Sequence, residues 1–276
     1  MKEYHTGQIR NIALVSHNGA GKTTLVERLL FDTGVTTRMG SVQNGTAAMD
    51  FDEEEMNRNS SVSTAIAPIE WNKIKFNLLD TPGYIDFVGE VNSALKVAEG
   101  AVVLVEAVSG VEVGTEAVWQ SAKNYNRPRL LVVNKMDREN VNVNRVISSI
   151  NNNLDGNFIN LQLPIGEGNT FTGVVDLINL ETHTENGKKG SIPDDMADAI
   201  EEARVELVEV AAEGNDDLLM MYLEGEELSN EDIITGLKAA MHQGAAVPIV
   251  YCAPEKGIGV SALMDILGLI MPAPNE

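Results

Sequence analysis

The sequence predicts an α/β fold: a mostly parallel sheet with helices on both faces, plus an inserted α+β subdomain. Three observations carry this. Short apolar runs alternate with amphipathic stretches near both ends of the chain, as strands covered on both faces require. The texture changes after Asp137, becoming Asn-rich and then acidic, and the first texture returns at Pro248. A glycine-bearing loop, Ser16-His17-Asn18-Gly19-Ala20-Gly21-Lys22-Thr23-Thr24, stands between an apolar run and an amphipathic one.

Taken in order, 9–15 reads as a buried strand and 22–31 as a helix. Residues 33–64 show no sustained periodicity, and so long a loop inside a compact domain is usually functional or mobile. Segments 65–71 and 74–80 alternate as a hairpin with Asn72-Lys73 at its turn. A helix over 87–99 places Val88, Val91, Ala94, Leu95 and Ala98 on one face. A strand over 101–105, a helix over 113–125 and a strand over 129–133 follow, joined by right-handed crossovers.

Beyond Asp137 the pattern gives a helix over 142–153, strands over 159–164 and 173–178, and acidic helices over 194–212, 216–223 and 231–242. A buried strand over 248–252 and a helix over 260–270 close the chain. The simplest organisation is a subdomain, 158–245, inserted between the last two strands of a domain formed by 1–157 and 246–272. The Pro-rich 273–276 reads as the start of a linker to further domains.

Bulk properties bound the function. Net charge is -21 over 276 residues, a surface that repels phosphate backbones, so sequence-specific nucleic-acid binding by this piece is not expected. Between Glu185 and Asp232 stand 16 Asp and Glu against 3 Lys and Arg. One cysteine, Cys252, rules out an internal disulfide and fits a reducing cytoplasm. No apolar run approaches a membrane span, and the N-terminus lacks a signal-peptide core. Four scattered histidines and that cysteine give no zinc cluster.

The loop from Ser16 to Thr24 has the context of a phosphate-binding loop. Small residues let successive N–H groups point at phosphate oxygens, and the helix start adds partial positive charge. Lys22 can reach the β/γ-phosphates, and the Thr23 hydroxyl can ligate Mg²⁺. Ser16 stands where the pattern has its first glycine. Asp80-Thr81-Pro82-Gly83 closes a strand opposite this loop. Asp80 is placed to hold the metal through its water shell, and Gly83 can offer a backbone N–H to a terminal phosphate. Taken alone, Asp-Thr-Pro-Gly is also good turn chemistry.

Asn134-Lys135-Met136-Asp137 discriminates further. The Asp137 carboxylate can accept from guanine N1–H and its 2-amino group, whereas adenine would leave it desolvated and unpaired. The Lys135 stem can lie along the base, and Asn134 can tie this loop to the phosphate loop. The plain alternative is a polar turn with Asp as N-cap. Together the three elements predict GTP/GDP binding with Mg²⁺ on a P-loop GTPase fold.

On these residues, and on Gly110-Val111-Glu112, Thr115 to Trp119, Gly173 to Leu177, Tyr222 to Gly225 and Lys256 to Asp265, the chain resembles the GTPase domain of translation elongation factor G over essentially its whole length. The resemblance implies a ribosome-acting GTPase, an inserted subdomain of the kind that family carries, and contact of its acidic helix over 194–213 with a basic ribosomal-stalk protein. A solvated acidic face is the equal alternative.

Departures from the family matter. Tyr84 stands where the family usually has the histidine that positions the attacking water, and a tyrosine hydroxyl cannot become a cation there. The resemblance therefore implies Lys22, Gly83 and Tyr84 as catalytic residues. It leaves open a switch that binds GTP with little hydrolysis. Arg58-Asn59-Ser60-Ser61-Val62 occupies the first switch, where Ser61 keeps a hydroxyl for the metal beside Thr23 and Asp80. Gly19 replaces a family aspartate. Ala253-Pro254 stands where Ser-Ala contacts the base, and proline has no N–H to give guanine O6. These changes resemble the divergent paralogues of the factor. His17 reads as a backbone-contact residue and Trp119 as core.

Overall fold

The computed structural model describes residues 2–276. Its first unit is a seven-stranded sheet. Strand β1 (Ile9–Ser16) leads through the phosphate loop to helix α1 (Lys22–Asp32), and a long segment containing the short helix α2 (Glu53–Arg58) leads to β2 (Ala65–Trp71) and β3 (Ile74–Asp80). Helix α3 (Val88–Val97), β4 (Gly100–Glu106), α4 (Val113–Asn124), β5 (Arg129–Asn134) and α5 (Val143–Asn153) follow, then β6 (Phe158–Asn160).

The second unit is a four-stranded antiparallel sheet of β7 (Gln162–Ile165), β8 (Gly173–Asp176), β9 (Glu181–Thr184) and β10 (Lys189–Gly190). Helices α6 (Ala197–Glu213), α7 (Asp216–Leu223) and α8 (Asn230–His242) follow it, and β11 (Val247–Tyr251) and α9 (Val260–Ile270) return to the first unit.

The large sheet runs β2-β3-β1-β4-β5-β11-β6, parallel except where β2 pairs antiparallel with β3. Strand alternation divides its core between two faces. Ile12 and Leu14 point to one side, where Leu25, Leu29, Leu263 and Leu267 of α1 and α9 cover them. Ala13 and Val15 point to the other, packed with Val91, Leu95 and Trp119 of α3 and α4. A parallel sheet wound this way brings its loops to the carboxyl ends of the strands, where ligands bind in open α/β folds.

Two expectations need correction. The run 159–164 is not one strand. It belongs to both sheets and turns at Leu161, whose N–H donates to Ile249 in the large sheet while its carbonyl accepts from Leu177 beside the small one. The large sheet therefore keeps Phe158–Asn160, paired with β11. The 33–64 segment, expected to hold no regular element, contains helix α2, and carboxylates catch its backbone on either side. Glu27 accepts from Met49 N–H at 3.0 Å, and Glu55 from Val62 and Ser63 at 2.9 and 3.1 Å. Glu90 accepts from Thr64 at 2.8 Å. These bonds give otherwise unpaired backbone donors their partners.

Strands β9 and β10 lie where no strand was expected, and helix α6 begins three residues after the expected 194, behind a 3-10 turn at Asp194–Met196. The small sheet and its helices share one continuous core with the α1/α9 face, through Val175, Leu207 and Leu237.

Candidate functional site

A cavity of about 510 Å³ opens over the carboxyl ends of the central strands, lined by the phosphate loop, residues 39–43, Asp50, residues 59–61, Gly83, Lys135, Arg138 and Glu255. Gly19 and Gly21 adopt φ of 83° and 94°, the left-handed backbone that lets the loop curl into α1. Gly21 is also fixed by space, since a Cβ there would lie 2.6 Å from Asn134 Nδ2. Lys22 Nζ, buried under this loop, donates to Ser16 Oγ at 2.8 Å, and Ser16 Oγ donates to the His17 carbonyl at 2.6 Å. The serine in place of glycine thus supplies the lysine with a hydroxyl acceptor.

The metal candidates converge. Thr23 Oγ1 lies 3.2 Å from Ser61 Oγ, which donates to Asp50 Oδ1 at 2.6 Å. Asp80 is buried, and among the described residues neither of its carboxylate oxygens has a hydrogen-bond partner of ordinary geometry, although the Thr23 hydroxyl is close enough to favour its charged form; Asp50 Oδ2 also lacks a partner. Two buried carboxylates beside two hydroxyls fit the oxygen donors that a hard divalent cation takes. Burial pushes the Asp80 carboxyl up to about 7, with the Lys22 ammonium opposing. Burial also pulls Lys22 down to about 8, opposed by Asp80 and Asp50. The Asp50 carboxyl is raised by burial as well, against the Ser61 bond.

Gly83 closes the phosphate end. A Cβ there would fall 2.6 Å from Asn18 Cα and 2.8 Å from Lys22 Nζ, so only glycine approaches so closely. Thr81 is buried and donates to the Leu14 carbonyl at 2.6 Å, holding the Asp80 strand end in place. Tyr84 stands outside the cavity lining. It is 46% exposed and precedes the 3-10 turn Ile85–Phe87.

The other end is built from Asn134 to Asp137. Asn134 Nδ2 donates to the Ala20 carbonyl at 2.8 Å, joining this loop to the phosphate loop, and Asn134 Oδ1 accepts from Cys252 Sγ at 3.3 Å. Lys135 adopts φ of 60° and reaches Glu106 at 2.9 Å. A non-glycine residue in this left-handed region stores strain of about 1 kcal/mol or more, typical of functional loops. Met136 is buried in the core. Asp137 faces Lys256, 3.8 Å away, and Arg138 reaches Glu255 at 3.2 Å. Ala253 N–H is spent on the Ile258 carbonyl at 2.9 Å, and Pro254 opens the turn that follows.

Of the expected residues, Asn18, Gly19, Gly21 to Thr24, Ser61, Gly83 and Lys135 line the cavity. Ser16, Ala20, Asp80 to Pro82, Asn134, Met136, Ala253 and Pro254 are buried behind it. His17 leans outward onto Glu112, 3.3 Å away. Sequence reasoning missed Asp50, Arg138 and Glu255, and the 39–43 wall. Nothing marks Asp50 among the many acids and polar residues around it. Arg138 could have been found as the residue next to Asp137.

The family model described as Elongation factor Tu GTP binding domain matches residues 7–273. Among solved structures, a crystal structure of a protein from Thermus thermophilus is similar at a TM-score of 0.92 and 35% sequence identity, covering 98% of this chain and 41% of that one. The chain thus spans well under half the length of that relative. With the sheet, the phosphate loop and the Asn134–Asp137 loop in the places such a match requires, the chain belongs to the elongation factor Tu GTP binding domain family.

Proposed function

We propose that this chain is the GTP-hydrolysing domain of an elongation-factor-G-like translation factor that acts on the ribosome, converting GTP and water to GDP and phosphate. The family binds guanine nucleotides. The observation that supports hydrolysis best is the meeting of Lys22, Thr23, Ser61, Asp50 and the bare Asp80 carboxylate beside Gly83.

In this reading the phosphate-loop N–H groups and Lys22 bind the β- and γ-phosphates and neutralise the charge that moves onto the β–γ bridge oxygen as that bond breaks. Thr23 and Ser61 would hold Mg²⁺ directly, with Asp80 and Asp50 as acceptors for its waters. When bound, the ion supplies charge neutralisation between the phosphates. Gly83 N–H faces the γ-phosphate. Asp137 reads the guanine edge and Lys135 covers the base.

Tyr84 is the residue proposed to orient the attacking water. Its exposed position means that the 84–87 turn has to swing inward, a movement suited to a ribosome-triggered step. That same exposure favours a second reading, a GTP/GDP switch that docks on ribosomes and hydrolyses little. The acidic α6–α8 face is proposed as the side that meets a basic stalk partner, in a cytoplasmic setting. Among the described residues no helix is long and apolar enough to cross a membrane.

The test is multiple-turnover GTP hydrolysis by the natural full-length protein, with and without ribosomes, beside Tyr84→His. Stimulation of the parent by about 100-fold or more, a typical contribution of one positioned group, supports the hydrolase. Stimulation seen only in the histidine variant supports the switch. Indifference of both proteins to ribosomes would remove the translational assignment.

A further inference from the structure

We propose that Glu27 is a positioning residue for nucleotide retention: it docks the 39–50 wall of the cavity onto α1 and thereby presents Asp50 to the metal end of the site. The proposal rests on the guanine-nucleotide and Mg²⁺ reading above.

Glu27 follows Thr23 by one helical turn, so the two side chains share a face of α1. It is 1% exposed, and no ion pair to it occurs among the described residues. A carboxylate that deep is unfavourable unless donors surround it. Its donors are backbone N–H groups of a distant segment. Met49 donates to Oε1 at 3.0 Å, and Gly40 and Ala48 face the same carboxylate.

The segment is shaped around this group. A Cβ at Gly40 would lie 2.1 Å from Glu27 Oε2 and 2.8 Å from Ala47 Cα, so close approach requires glycine there. The residues held this way are wall residues, since Met39, Gly40, Ser41 and Val42 line the cavity. The next residue after Met49 is Asp50, whose Oδ1 accepts from Ser61 Oγ. Ser61 in turn meets Thr23. One face of α1 therefore grips both ends of the 40–61 stretch, by Glu27 at one end and Thr23 at the other. A residue that served packing alone would not need a carboxylate whose Oε1 is spent on the Met49 N–H while its Oε2, without a bonded partner among the described residues, is set against Gly40.

The experiment is the dissociation rate of fluorescently labelled GDP from the natural full-length protein, in Mg²⁺ and in EDTA, for the parent, Glu27→Ala, Glu27→Gln and Gly40→Ala. Glu27→Ala is expected to release GDP about tenfold or more faster in Mg²⁺, the loss of one charge-assisted hydrogen bond, and at the parental rate in EDTA. Glu27→Gln keeps an acceptor oxygen and stays within about threefold of the parent, rescuing the wall. Gly40→Ala leaves α1 untouched and reproduces the Mg²⁺-dependent effect, which covers the case in which Glu27→Ala does not fold. Equal rates for Gly40→Ala and the parent in Mg²⁺ would overturn the proposal. So would acceleration of similar size in both conditions, which marks general loosening. A parent that does not bind GDP at all would instead remove the underlying nucleotide reading, and this inference with it.

Discussion

The two ends of the cavity are built on opposite principles. At the end proposed to bind phosphate, charged groups are buried and under-satisfied: among the described residues two oxygens of Asp80 and one of Asp50 lack a bonded partner, and Lys22 donates to Ser16 alone. At the other end almost every polar group is already matched within the protein. Asn134 is held by Ala20 and Cys252, Lys135 by Glu106, Arg138 by Glu255, and Asp137 lies near Lys256. On the proposed reading, the end that compensates large ligand charge is left for the ligand to complete. On the same reading, the end that recognises a base is assembled beforehand, which would lower the ordering cost of binding.

The sharpest way to break this comparison is Asp137→Asn. An amide turns an N–H₂ group toward guanine's N1–H and 2-amino donors and loses two charge-assisted bonds. GDP affinity is expected to fall about 100-fold or more. Xanthine, with a carbonyl at position 2, should recover much of that loss, because the new amide N–H₂ can donate to it. Competition titrations with GDP and xanthosine diphosphate read both effects. Unchanged GDP affinity would mean that the preassembled end does not read the base.

The next test acts on the phosphate end. Asp80→Asn removes a charge that burial opposes while keeping size, so the Mg²⁺-free, nucleotide-free protein should become more stable by about 1–3 kcal/mol at pH 7.5. The sign follows from linkage. The folded Asp80 carboxyl lies at about 7, above its ordinary value of 3.8, so the folded chain binds a proton that the unfolded chain has released. Its stabilising effect is full below about pH 3.8 and is lost as pH rises through about 7. The gap between variant and parent in urea melts should thus shrink by more than half between pH 7.5 and 5. In Mg²⁺ the same variant should lose the metal-dependent gain in nucleotide affinity. A stability gap independent of pH would show that Asp80 is already satisfied in the apo protein.

The legible part of the fold was the part dictated by local periodicity. Runs such as Ala101 to Val105 can only be buried strands, and the Gly-Lys-Thr and Asn-Lys-Met-Asp elements sit at strand ends because their chemistry needs a fixed scaffold. What stayed hidden depends on partners far along the chain. Nothing in the run 159–164 says that Leu161 divides its N–H and carbonyl between two sheets. Glu27 and Glu55 look like ordinary acids on helical segments, yet they turn inward to catch backbone N–H groups of the 40–63 stretch. A carboxylate that organises a loop leaves no periodic trace, and Asp50 was missed for that reason. The Pro254 departure was readable, since a missing N–H is a property of the residue itself. The structure adds that the neighbouring Ala253 N–H is engaged by Ile258.

The smallest expected effect tests how much of the preassembly is held by surface charge. Arg138 and Glu255 join the Asn134–Asp137 loop to the turn after β11. Their side chains are 46% and 53% exposed, so screening and side-chain entropy leave such a pair worth less than about 1 kcal/mol. Arg138→Ala should change GDP affinity by less than about threefold at 0.15 M salt and leave the urea midpoint nearly unmoved. The real strength of that end lies inward, in the buried Asn134 amide, whose two bonds reach the phosphate loop and the β11 end at once. If Arg138→Ala instead weakened GDP binding tenfold and the loss faded at high salt, a surface strap rather than the buried amide would be holding the base end in shape.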